Sequence, residues 1–129
     1  MLGSSKAFSG FAVDDIPRAK RFYGETLGVK VSDGEMGMLT LHLAEGTDVM
    51  VYPKGDAHEP ASFTILNFPV DDIEAAVDGL AERGVTFERY EGTPLETDAK
   101  GIYRGEGPPI AWFKDPAGNV LSVIELAAG

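Results

Sequence analysis

The chain has 129 residues, 43% hydrophobic and 25% charged, with a formal net charge of −10 and no cysteine. That length suits one globular domain, and the missing cysteine excludes disulfides, thiolate nucleophiles and thiolate metal sites. The charge argues against nucleic acid, whose phosphates it would repel, and would favour a cationic small molecule, although acidic surfaces also serve solubility. No apolar run approaches the roughly 20 residues of a membrane-spanning helix and nothing at the N-terminus resembles a signal peptide, so the expectation is a cytoplasmic chain without a membrane partner.

In chain order, residues 7–13 read as a strand with Phe8, Gly10 and Ala12 on one face and Ser9, Phe11 and Val13 on the other. Asp14 or Asp15 offers a side-chain oxygen to the free amides of a helix start, and Pro17 suits the first turn. Ile16, Ala19, Tyr23 and Leu27 fall on one helical stripe, which Gly28 can end in a left-handed conformation. Residues 29–32 form a short strand before the turn signal Asp33-Gly34. Leu39, Leu41 and Leu43 then alternate with Thr40 and His42, and Val49 and Val51 with Asp48, Met50 and Tyr52.

Residues 53–62, with two prolines and a glycine, read as a connector between a module at 7–52 and a second at 63–126, both inside one domain spanning 1–129. A strand at 63–70 leads into a helix capped by Asp71 or Asp72, with Ile73, Ala76, Val77 and Leu80 as its stripe and Gly84 at its end. Residues 85–90 are strand-like, 91–109 form a long irregular loop, and 110–114 and 120–126 are strands around the turn Asp115-Pro116-Ala117-Gly118. Val13-Asp14-Asp15-Ile16 returns 57 residues on as Val70-Asp71-Asp72-Ile73, so both modules read strand, helix, strand, strand, strand.

This tandem βαβββ pattern, with Phe22-Tyr23, Leu27-Gly28 and the stretch Phe113-Lys114-Asp115-Pro116-Ala117-Gly118-Asn119, resembles the vicinal oxygen chelate superfamily of glyoxalases, bleomycin-resistance proteins and extradiol dioxygenases. The resemblance implies an α+β fold, with a curved mixed sheet from each module around a cleft, and often a homodimer. It also implies where a divalent metal would sit in the family's enzymes. Those positions are Phe8, Ile65, a residue near Met50, and Ser122. None carries the imidazole or carboxylate that such an ion takes, and the neighbours of these positions do not restore the set. The expectation is therefore no metal and no cofactor.

Paired carboxylates at 14–15 and 71–72 are read as helix caps rather than acid–base pairs, and neither Ser122 nor His42 sits in a nucleophile motif. The expected ligand cleft comprises Phe8, His42, Met50, Tyr52, Ile65, Tyr103, Trp112 and Ser122, mainly apolar and partly aromatic. The competing reading is that these residues pack on one another as core. The functional expectation is a metal-free binder of an apolar or cationic small molecule, with no catalytic residue assigned. The alternatives are a metal-dependent lyase, isomerase or dioxygenase with displaced ligands, or a regulatory module binding a metabolite or protein.

Overall fold

The computed structural model describes residues 1–90, 92–94 and 96–126. The chain divides into two compact units, Met1–Glu59 and Pro60–Gly129. In the first, β1 (Ser9–Val13) is followed by α1 (Ile16–Arg21), a wide π turn (Phe22–Thr26), β2 (Lys30–Asp33), β3 (Leu39–His42) and β4 (Asp48–Pro53). The sheet order is β1-β4-β3-β2, with β1 parallel to β4 and the other pairs antiparallel. In the second, β5 (Thr64–Val70), α2 (Ile73–Glu82), β6 (Ile102–Tyr103), β7 (Ile110–Lys114) and β8 (Val120–Glu125) take the equivalent order β5-β8-β7-β6, again with the first and last strands parallel. The fold is α+β, two βαβββ modules in tandem.

The repeated Val-Asp-Asp-Ile explains how each helix begins. The second aspartate of each pair is the cap: Asp15 accepts the amide of Arg18 at 3.1 Å and Asp72 that of Ala75 at 3.2 Å. Each bond satisfies one of the donors a helix start leaves without an intrahelical partner. Beyond α1 the backbone widens into a π turn, with the Leu27 amide donating to the Phe22 carbonyl at 2.9 Å. Tyr23 on that turn is fully buried, 5.7 Å from the ring of Phe11 and 5.2 Å from that of Phe22.

Strand alternation sorts the rest. On the helix-covered face of the first sheet Phe11, Val13, Leu39, Leu41, Val49 and Val51 are buried, and in the second module Ile102, Ala111, Phe113, Leu121 and Val123 are buried with Ile73 and Val77 of α2. Each large side chain so buried contributes about 1.5–3 kcal/mol. Leu43 and Leu80, expected on these stripes, are only half-buried.

Residues 85–90 do not form the expected strand. They make one bridge, Phe87 to Phe113, with the Glu88 amide donating to the Trp112 carbonyl at 2.7 Å. The third strand of the module is instead β6, whose Ile102 and Tyr103 pair with Ala111 and Ile110. The outer edge of β7 is thus shared by two segments, one at each end. The first segment pairs through Phe87 alone and the second through Ile102 and Tyr103, with the long loop between them. Glu91 and Leu95 of that loop lie outside the described residues.

The Asp115–Asn119 turn is built from buried polar groups. Asp115 Oδ1 accepts the amides of Ala117 and Asn119 at 3.0 and 2.9 Å, and Oδ2 accepts from Asn119 Nδ2 at 3.2 Å. Asn119 Oδ1 in turn accepts the Ala61 amide at 3.1 Å, tying the turn to the connector. Gly118 has φ +86°, and a Cβ there would lie 3.0 Å from Pro60. Both facts favour glycine. Among the described residues no helix is long and apolar enough to cross a membrane.

Candidate functional site

Each sheet has a second face, turned away from its helix, and the expected site residues fall largely there. In the first module β3 brings Thr40 and His42 to that face, β4 brings Asp48, Met50 and Tyr52, and β2 brings Lys30 and Ser32. Register then decides neighbours: Lys30 lies opposite His42, which lies opposite Asp48, while Ser32, Thr40, Met50 and Gly10 form the adjoining row. Phe8 sits just before β1 and is 72% exposed, Tyr52 is exposed and Met50 is half-buried.

His42 is held at both ring nitrogens. Nδ1 lies 2.9 Å from Asp48 Oδ1, and Nε2 lies 2.7 Å from Ser32 Oγ. An ionised carboxylate only accepts, so Nδ1 carries the proton of the neutral ring and Nε2 accepts from the serine hydroxyl. Thr40 donates a weak bond to Met50 Sδ at 3.5 Å.

The second module presents a different face. Asn67, Ser122 and Trp112 lie side by side across β5, β8 and β7. Ser122 is fully buried and donates to Asn67 Oδ1 at 2.6 Å, so its hydroxyl is already engaged. Ile65 falls at the register shift between Thr64 and Leu66 and is half-buried. Trp112 is flanked by Tyr90, edge-on at 5.3 Å, and by Tyr103 at 6.2 Å. Burial, and then the nearby Glu88 carboxylate, push the Tyr90 phenol above its ordinary value against the opposing pull of Lys114. Glu88 and Lys114 pair at 3.1 Å beside this cluster.

The long loop contributes a cavity of about 380 Å³ in this module, lined by residues that include Thr97, Asp98, Ile102, Tyr103 and Arg104. Asp98 organises its wall. Its carboxylate accepts the amides of Lys100 and Ile102 at 2.9 and 3.0 Å and Arg104 Nε at 3.4 Å. Burial works against the charged form, yet the Ile102 and Lys100 amides and the Arg104 guanidinium outweigh it and hold the carboxyl below its ordinary value. Arg104 also reaches Glu74 on α2 at 3.1 Å.

Of the expected site residues, His42, Met50 and Tyr52 thus share one face of the first sheet, with Phe8 just before β1, and Trp112 and Ser122 share one face of the second, where Tyr103 joins Trp112. Ser32, Tyr90 and the Asp98 wall were not anticipated. Asp48 beside His42 followed from its strand pattern, whereas Ser32 needed the hairpin register, which Asp33-Gly34 alone does not set. The actual reversal is longer, with the Gly34 amide donating to the Met38 carbonyl at 2.7 Å.

Phe8, Met50, Ile65 and Ser122 supply no imidazole nitrogen and no carboxylate oxygen for a divalent ion. Among the described residues no three His, Asp or Glu side chains converge as a metal site. Both nitrogens of His42 are already occupied by hydrogen bonds. The donor set does not fit the superfamily's metal.

A family model described as "Glyoxalase/Bleomycin resistance protein/Dioxygenase superfamily" matches residues 8–123. Among solved structures the chain is similar to TnmS3, an antibiotic-binding protein from Streptomyces sp. CB03234, at 26% identity, covering 96% of this chain and 98% of that one with a TM-score of 0.66. It is similar to a glyoxalase/bleomycin resistance/dioxygenase superfamily member from Sphaerobacter thermophilus at 27% identity, 93% and 97% coverage and TM-score 0.64. At 12% identity, with 97% and 94% coverage and a TM-score of 0.64, the fosfomycin resistance protein FosX from Mesorhizobium loti shares the fold. No curated protein sequence matches the chain.

Proposed function

The chain belongs to the glyoxalase/bleomycin resistance protein/dioxygenase superfamily, and from that membership we propose that it binds a small apolar or cationic molecule without metal chemistry, as a cytoplasmic homodimer. The carrying observation is the donor set: the four positions at which the superfamily's enzymes hold their ion are phenylalanine, methionine, isoleucine and serine here. Apolar side chains at three of those places replace ligand oxygens and nitrogens with surface suited to a greasy or flat molecule. The Tyr90–Trp112–Tyr103 cluster adds three aromatic rings in edge and tilted contact. The net charge of −10 favours a cation, which aromatic faces also attract. The likeness to an antibiotic-binding protein at 26% identity supports the same reading.

Native mass spectrometry after incubation with Ni²⁺, Zn²⁺, Mn²⁺ and anaerobic Fe²⁺ tests the metal-free part. We expect no ion retained in a fixed ratio; one tightly held ion per chain overturns it and returns the metal-dependent lyase or dioxygenase. Trp112 is the only tryptophan, so its fluorescence reports on the second face directly. Proflavine, a planar aromatic cation, is expected to quench it saturably and to raise the melting temperature by mass action. The native mass spectrum also gives the subunit count, and a monomer removes the homodimer.

A further inference from the structure

The Ser32–His42–Asp48 chain carries chemistry that ligand binding does not use. Ser32 Oγ donates to His42 Nε2 at 2.7 Å, and His42 Nδ1 donates to Asp48 Oδ1 at 2.9 Å. We propose that this relay makes Ser32 an activated nucleophile that accepts an acyl group from an ester, giving the chain a serine-hydrolase activity on the first module. The roles are those of any such triad, recognised by geometry rather than sequence position: nucleophile, base, and the carboxylate that orients the base.

Sheet register explains why three residues from three strands meet. Asp48 lies directly across from His42 on β4, and Ser32 is its diagonal neighbour on β2. Such diagonal positions are within reach of long side chains. β2 is the outer strand of its sheet and Ser32 is exposed, so an electrophile can approach it. The contrast with Ser122 is informative. That hydroxyl is buried and donates to an amide oxygen, which cannot take its proton, whereas the Ser32 hydroxyl donates to a base.

In the first half-reaction the Ser32 oxygen forms a bond to the ester carbonyl carbon as its proton passes to His42 Nε2. The carbonyl electron pair moves onto oxygen and returns, the bond to the leaving alkoxide breaks, and that alkoxide takes the proton from His42. Water then repeats the sequence on the acyl-serine, releasing the acid and restoring the hydroxyl. Lys30, across from His42, places a cation on the same face to offset the charge on the carbonyl oxygen. Asp48 is a positioning residue.

The test is covalent labelling of the whole chain with a fluorophosphonate, mapped by peptide mass, beside hydrolysis of 4-nitrophenyl acetate. We expect one adduct on Ser32 and none on the variant Ser32→Ala, with labelling at least tenfold slower in His42→Ala. Asp48→Asn should slow labelling while leaving the melting temperature unchanged, and Asp48→Glu should restore part of the rate. An unlabelled Ser32 in the native chain, or a labelling rate indifferent to His42→Ala, overturns the proposal. Neither result touches the binding reading, because metal retention and Trp112 fluorescence are measured separately.

Discussion

The two modules share an element order, a strand order and a capping scheme, and then differ on the sheet face turned away from the helix. In the first module that face carries a polar relay of Ser32, His42 and Asp48 with Lys30 beside it. In the second it carries Trp112 between two tyrosines, beside a serine whose hydroxyl is tied to Asn67. Alternate residues on a strand answer to different demands. The helix-facing set must be apolar to bury, while the opposite set is free to carry chemistry, so a repeat that keeps the first can diverge in the second. The modules also differ at the edge, where the second breaks one strand into Phe87–Glu88 and β6 to admit a loop with its own cavity.

The sharpest comparison is between the two cores. Phe113→Ala should destabilise by about 3–5 kcal/mol and Leu41→Ala by about 2–5 kcal/mol, since both are fully buried and each leaves a cavity. Urea unfolding checks this, and a loss below about 1 kcal/mol at either would show that its core is loosely packed. Next in size is a feature of one module alone. Asp115→Ala leaves the Ala117 and Asn119 amides without their acceptor and should cost about 1–3 kcal/mol by the same measurement. Equality is the expectation at the caps. Asp15→Ala and Asp72→Ala should each cost about 1 kcal/mol, whereas Asp14→Ala and Asp71→Ala should cost much less. Unequal losses would mean that the repeated motif does different work in its two copies.

The smallest effect belongs to Asp98, whose carboxylate is open to solvent on one side. Its carboxyl titrates below the ordinary aspartate value in the folded chain, so the folded state favours its charged form. That contribution is present above the unfolded-state value and is lost as pH falls through the folded one. Asp98→Asn should therefore lower the melting temperature slightly at neutral pH, with the gap to the native chain closing under acid. A gap that stayed constant would assign the loss to hydrogen bonds alone.

Much of the architecture was legible before any coordinates. The alternation at Leu39–Leu41 and Val49–Val51, the aspartate caps and the Asp115 turn are local signals, each set by residues a few positions apart. Residues 85–90 misled for a reason that local patterns do not contain. The segments at 85–90 and 102–103 divide one edge of β7 between them, and which residues pair is set across the sheet rather than within either segment.

The residues alone determined the repeat, the two helix starts, the buried face of each sheet, and the absence of imidazole and carboxylate from the four family metal positions. These follow from side-chain chemistry and from periods of two and 3.6, which act within a single element. Only tertiary structure decided that Ser32 meets His42, that Tyr90 joins Trp112, that the Ser122 hydroxyl is taken by Asn67, and that Asp98 walls a cavity. The reason is register. Residues 10 and 55 positions apart become hydrogen-bond partners only when strands pair in one alignment, and a slip of one residue would turn each of them to the opposite face.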